Sequence, residues 1–164
     1  MVRLATTNDM YRIVQIVNAE VRNTDNQLVC DIGKTYTFKE ITSYVFPSYC
    51  QIYVKEVGGT VVGFIKGRLD PTDNIGMIDF LIVESGNVDS AKWALELIRA
   101  LAIDFSGSTI PCSTIQGQFS APELYNLLKQ FNVDIRTVPD TNEYYFTVTC
   151  ADAISGSTDW LAQH

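Results

Sequence analysis

Apolar and polar positions change their period several times along the chain, and each change marks an element. Val2 to Ala5 reads as a short strand, and Thr7 or Asn8 can cap a helix running to about Glu20. Met10, Ile13, Val14, Val17 and Val21 recur on one face of that helix, with polar residues opposite. Asn23 to Lys34 is polar and reads as a loop. Thr37-Phe-Lys-Glu40 has capping-box spacing and predicts a second short helix to Val45, stopped by Pro47. Cys50 to Val57 then alternates with period two, Gly58-Gly59 turns the chain, and Thr60 to Leu69 returns. A glycine pair between two alternating runs is a hairpin signal.

The second half repeats a different unit. Pro71 to Gly76 leads into an apolar run, Met77 to Val83, that predicts a buried strand. Glu84-Ser-Gly-Asn-Val-Asp-Ser90 is a polar connector, and Ala91 to Phe105 has the spacing of an amphipathic helix. After Ser106-Gly-Ser108, Ile110 to Gln116 reads as a strand. Ser120 caps a helix with Pro122 in its first turn, and Leu124, Leu127, Leu128 and Phe131 face inward. Val133 to Val138 and Tyr144 to Thr149 are the last strands. Residues 1–150 thus form one domain, and 151–164, with Gly156 among serines, read as a C-terminal tail. Trp160-Leu161 could hook that tail onto a neighbour. Strands around the long helices should pair in parallel through crossovers. The result is a mixed sheet with helices on both faces, in the α/β or α+β class.

Composition narrows the function. The 164 residues carry a formal net charge of −7. That balance, without any run of Lys and Arg, argues against nucleic acid or an anionic membrane as partner. No window approaches the roughly 18 apolar residues of a membrane span. Nor does the N-terminus have the apolar core of a signal peptide. Cys30, Cys50, Cys112 and Cys150 are far apart, and His164 is the one imidazole, so neither a zinc site nor a disulfide framework is indicated. Reduced, buried thiols fit a cytoplasmic protein, or a particle assembled in the cytoplasm.

The order of elements and several local signatures resemble the GNAT family of acetyl-CoA-dependent N-acetyltransferases. These signatures are Val2-Arg-Leu-Ala-Thr-Thr-Asn-Asp9 at the start, Val57-Gly-Gly-Thr-Val-Val-Gly-Phe64 in the hairpin, and Ala121-Pro-Glu-Leu-Tyr125 in the late helix. The resemblance implies a mixed central sheet of about six or seven strands flanked by about four helices. It also implies acetyl-CoA as cofactor and an amine as acceptor. The pantetheine arm would meet the backbone of Ile82 and Val83, and the diphosphate the amides of Asp89, Ser90, Ala91 and Lys92. A helix N-terminus aimed from a strand end is an anion site, because its N–H groups are unpaired. The family places Arg or Gln and then glycines in this turn. Here Val88 stands at the Arg/Gln position, and Ala91 and Trp93 stand at the glycines. Trp93 would crowd a diphosphate unless it turns away; otherwise it reads as a core or interface anchor, and opposite the Ala94, Leu95, Ile98 and Ala102 face it would suit a subunit contact.

By the same resemblance, Tyr125 is the acid that protonates a departing thiolate; the alternative is a ring packed beside Leu124 and Leu128. The base would be a carboxylate acting through water. Asp79 is a charge within an apolar strand, where burial would raise its pKa, unless it simply meets solvent or an arginine. Glu84, at the strand end, is the second choice. Two functions follow. One is an acyl-CoA-dependent N-acetyltransferase, with an open cleft between the strands ending at Val83 and Gln116. The other is a catalytically silent structural or interaction subunit, for instance of a virus particle or a homo-oligomer. In that second case Trp93 or Phe119 would fill the cleft.

Overall fold

The computed structural model describes residues 1–20, 39, 50–70, 72–108 and 112–164. The loop expected at 23–34, the short helix expected at 37–45 and Cys30 lie outside the described residues. The chain begins with β1 (Val2–Leu4), a 3-10 turn (Thr7–Asp9) and α1 (Met10–Glu20). Then come β2 (Cys50–Val57), β3 (Thr60–Asp70) and β4 (Ile75–Val83), followed by α2 (Ser90–Ser106) and β5 (Thr114–Phe119). The last elements are α3 (Pro122–Leu128), β6 (Asp134–Thr137), β7 (Tyr144–Thr149) and α4 (Cys150–Gln163). The seven strands form one sheet in the order β1-β2-β3-β4-β5-β7-β6. Every pairing is antiparallel except β4 with β5, which is parallel, as a strand–helix–strand connection requires.

Two apolar layers sandwich the sheet. On one face Met10, Ile13, Ile16 and Val17 of α1 pack on Ile52, Val54, Phe64, Phe80 and Ile82. On the other, Leu97, Ile98, Leu101, Ala102 and Phe105 of α2 pack on Ile65, Leu69, Ile78 and Leu81. Gly67 and Gly76 let α2 come close. A Cβ on Gly67 would stand 2.6 Å from Leu101, and one on Gly76 2.6 Å from Phe105. The β2–β3 turn needs its glycines for another reason, since Gly58 and Gly59 have φ of 57° and 82°, the backbone of a tight hairpin.

Four sequence expectations are corrected, one being that α3 is capped at Ala121 and not at Ser120. The first helix is capped by Thr6, not by Thr7 or Asn8: the Thr6 amide donates to Asp9 Oδ2 at 2.7 Å. The strand expected from Ile110 begins at Thr114. The stretch 151–164 is a helix, α4, packed on α2. Thr149 caps it, accepting from the Asp152 amide at 3.1 Å. Its Gly156 is a packing residue, because a Cβ there would lie 2.8 Å from the Phe131 ring. No helix of the described residues is long and apolar enough to cross a membrane.

Arg3 locks the N-terminal strand to the first turn, gripping Asp9 with both terminal nitrogens at 2.8 and 3.0 Å and Glu56 with Nε at 2.9 Å. The Arg3 hydrogen bonds hold the Asp9 carboxyl down at about 2, against an ordinary 3.8. Because the folded value lies below the unfolded one, this stabilisation is complete above the ordinary pKa. It is lost as pH falls towards about 2. Asp9→Asn is therefore expected to lower Tm at neutral pH and to make the fall of Tm between about pH 4 and pH 2 shallower. Thermal unfolding across pH checks this; parallel Tm curves for both proteins would refute it.

Candidate active site

The candidate site is built where β4 and β5 part. They pair through Ile75↔Thr114, Gly76↔Ile115 and Met77↔Gln116. Beyond Met77, β4 continues to Val83 without β5 beside it, and β5 turns to pair along its whole length with β7. Among the described residues, the upper half of β4 therefore has a ladder on its β3 side alone. Glu84 donates to the Val62 carbonyl at 2.8 Å, and the register puts Ile82 opposite Phe64 and Val83 opposite Gly63. Hydrogen-bonded pairs alternate along an antiparallel ladder. The Ile82 amide is thus spent on β3, while those of Leu81 and Val83 point to the side that β5 has left. Ile82, expected as a pantetheine donor, is corrected on this ground, and Leu81 takes its place; Val83, the other expected donor, already has a partner of its own.

The connector after β4 is fixed by α1. Glu20 Oε1 accepts from the Ser85 amide at 3.0 Å and from its hydroxyl at 3.1 Å. Arg12 pairs with Glu84 and donates from Nε to the Val61 carbonyl at 3.1 Å. Ser90 Oγ donates to the Glu84 carbonyl at 2.7 Å. The Asp89 amide donates to Asn87 Oδ1 at 2.9 Å and the Ser90 amide to the Asn87 carbonyl at 3.2 Å. Asp89 and Ser90 thus spend their amides locally and leave the expected donor set. The amides of Ala91 and Lys92 meet no acceptor among the described residues. They open a helix whose first turn carries no acid, while its N-cap residue, Asp89, brings one carboxylate to that end.

Trp93 does not stand over these amides, and it is not on an outward face. It is 7% exposed and joins Val83, Ala94, Phe119, Ala121 and Leu124 in the core cluster. The helical phase of Leu97, Ile98 and Leu101 carries it inward. Val88, at the family's Arg/Gln position, is 99% exposed. Two free amides, a helix end and an unobstructed turn fit a diphosphate, without the side chain that family members add.

The expected acid and base lie on α3 and on β4. Tyr125 is half-buried on α3, its ring stacked on Tyr144 at 4.4 Å between centroids, with Lys129 Nζ 4.9 Å from its centroid. Its hydroxyl meets no partner among the described residues. Asp79 occupies a bulge: Lys66 opposes Phe80 and Gly67 opposes Ile78, which leaves Asp79 as the extra residue. It is half-exposed and accepts from Arg68 Nε at 3.1 Å, so the arginine-partner reading holds and the buried-charge reading does not. Glu84 is engaged by Arg12 rather than free at the strand end.

Sequence reasoning missed Lys66, which is 1% exposed, lies 5.7 Å from the Phe80 centroid, and has its pKa lowered by burial. Its alternation with Phe64 was the available signal. Missed too were Arg12 and Glu20, the residues that hold the connector. Cys50, Cys112 and Cys150 are buried free thiols, as expected, and burial pushes Cys150 up to about 12. Among the described residues no cluster of His, Cys, Asp and Glu suits a metal.

The parting parallel strands, the anion-ready helix and the seven-stranded mixed sheet are together the GNAT fold. Among solved structures the chain is similar to aminoglycoside 6'-N-acetyltransferase from Enterococcus faecium, at TM-score 0.68 and 11% identity over 92% of this chain and 97% of that one. It is also similar to spermidine N-acetyltransferase from Vibrio cholerae, solved with CoA and spermine, at TM-score 0.67 and 11% identity over 94% and 97%. A GNAT-family acetyltransferase from Streptococcus pneumoniae matches at 0.63 and 16% identity over 91% and 98%. No protein-family model and no curated protein matches the sequence. At such identities the likeness is one of fold.

Proposed function

We propose that this chain is an acyl-CoA-dependent N-acyltransferase acting on an amine. The observation that carries the reading is that β4 runs on past its last pairing with β5 at Met77, while the amides of Ala91 and Lys92 meet no acceptor among the described residues. Coenzyme A would lie along Leu81, with its diphosphate at those amides, and would supply the acyl group as a thioester. Tyr125, whose phenol is uncommitted, would donate its proton to the departing sulfur. Asp79 would take a proton from the ammonium acceptor through water, with Arg68 holding its carboxylate in place. Glu84, tied to Arg12, would keep the connector rigid.

The test is release of CoA thiol from acetyl-CoA with a panel of primary amines. Tyr125→Phe is expected to lower kcat by about a hundredfold, the scale of general acid catalysis, with little change in KM. An unchanged kcat would remove Tyr125 from the chemistry. The location of Trp93 in the cluster with Val83 and Phe119 favours a second reading. In it the pantetheine path is filled and the chain is a silent subunit of a larger protein assembly. That reading expects no thiol release with any amine, and acetyl-CoA binding regained in Trp93→Gly.

A further inference from the structure

A cavity of about 470 Å³ lies on the α2 side of the sheet, away from the parting strands, between β1, β2, α2 and α4. Its size falls within the range of small-molecule sites. Val2, Ile103 and Leu161 give it an apolar wall; the Met1 ammonium, Lys55, Glu96 and Arg99 give it charge. Lys55 is buried, and its Nζ lies 2.5 Å from Glu96 Oε2, a carboxylate oxygen itself shut off from solvent. That pair is neutral. Glu96 and Arg99 are three residues apart on α2, hence neighbours on its surface. Arg99 donates from Nε to Thr158 Oγ1 at 2.9 Å, which orients the guanidinium. Its two terminal nitrogens meet no acceptor among the described residues. In a protein of net charge −7, this is an oriented, uncompensated cation at the mouth of a half-apolar cavity.

We infer that the cavity binds a small carboxylate with an aliphatic body. The carboxylate takes the free fork of Arg99, a bidentate geometry that guanidinium favours, and the chain lies against Val2, Ile103 and Leu161. Lys55–Glu96 closes the floor without adding net charge. Arg99 is eight positions beyond Ala91, about 12 Å along the helix, so the site is separate from the diphosphate cradle and stands whatever the fate of the proposed transferase activity.

Calorimetric titration of the full chain with hexanoate, acetate and hexylamine tests this. Hexanoate is expected to bind saturably at one site, acetate more weakly, and hexylamine not at all. Arg99→Met, at a half-exposed position, should keep its Tm and weaken hexanoate about tenfold or more, the loss expected for a charge-assisted pair. Unsaturable hexanoate, hexylamine binding as well as hexanoate, or acetate binding as well as hexanoate would each overturn the inference. Hexanoate binding unchanged in Arg99→Met would overturn it too.

Discussion

Phe105→Ala is expected to cost about 3–5 kcal/mol of folding stability, the scale of a large aromatic removed from a packed core. Phe105 is 1% exposed, and its ring lies directly over Gly76, where even a Cβ would come within 2.6 Å of it. Cys112 Sγ would be 3.2 Å from the same Cβ. The ring therefore fills the space that two glycines vacate, and neither β3 nor β4 has a side chain there to relax into the void. Against a total of about 5–15 kcal/mol for a domain, the variant should unfold at a much lower denaturant concentration with an unchanged slope. The reverse substitution, Gly76→Val, should be damaging for the opposite reason, overpacking. A loss below about 1 kcal/mol for Phe105→Ala would mean that α2 does not sit on β4 as described.

Ala91→Asp is expected to move stability and cofactor affinity in opposite directions. Ala91 is the second residue of α2, in a first turn that contains no acid. A carboxylate there interacts favourably with the helix end and should add about 0.3–1 kcal/mol to stability. The same carboxylate would occupy the amides offered to a diphosphate and repel it. Affinity for acetyl-CoA should fall about tenfold or more. The contrast separates a binding defect from a folding defect in one variant. If affinity were unchanged, the α2 N-terminus would not be the diphosphate site.

The hairpin, α1 and α2 were legible in sequence because their signals are local: a glycine pair, and apolar residues at helical spacing. Residues 151–164 were not legible as a helix, because Gly156 and its serine neighbours read as a tail. Glycine at that position answers to Phe131, a residue distant in sequence, and no local pattern records such a contact. Trp93 could have been placed by phase, since it stands four residues before Leu97 and so shares its face. The bulge at Asp79 could not. It depends on how β3 and β4 pair, and it turns an apparently buried charge into a half-exposed partner of Arg68. Backbone donors such as Leu81 leave no side-chain signature, and they emerged from the register alone. The Arg12 and Glu20 ties to the connector are long-range polar contacts, for which a single sequence carries no pattern.

The central claim is that β4 beyond its last pairing with β5 and the amides of Ala91 and Lys92 receive an acyl-coenzyme A. Calorimetric titration of the natural chain with acetyl-CoA tests it most directly. Saturable binding of one molecule per chain in the micromolar range, accompanied by a rise in Tm as ligand is added, is the predicted result. Absence of binding to the natural chain would contradict the claim, and binding regained in Trp93→Gly would identify the indole as the reason.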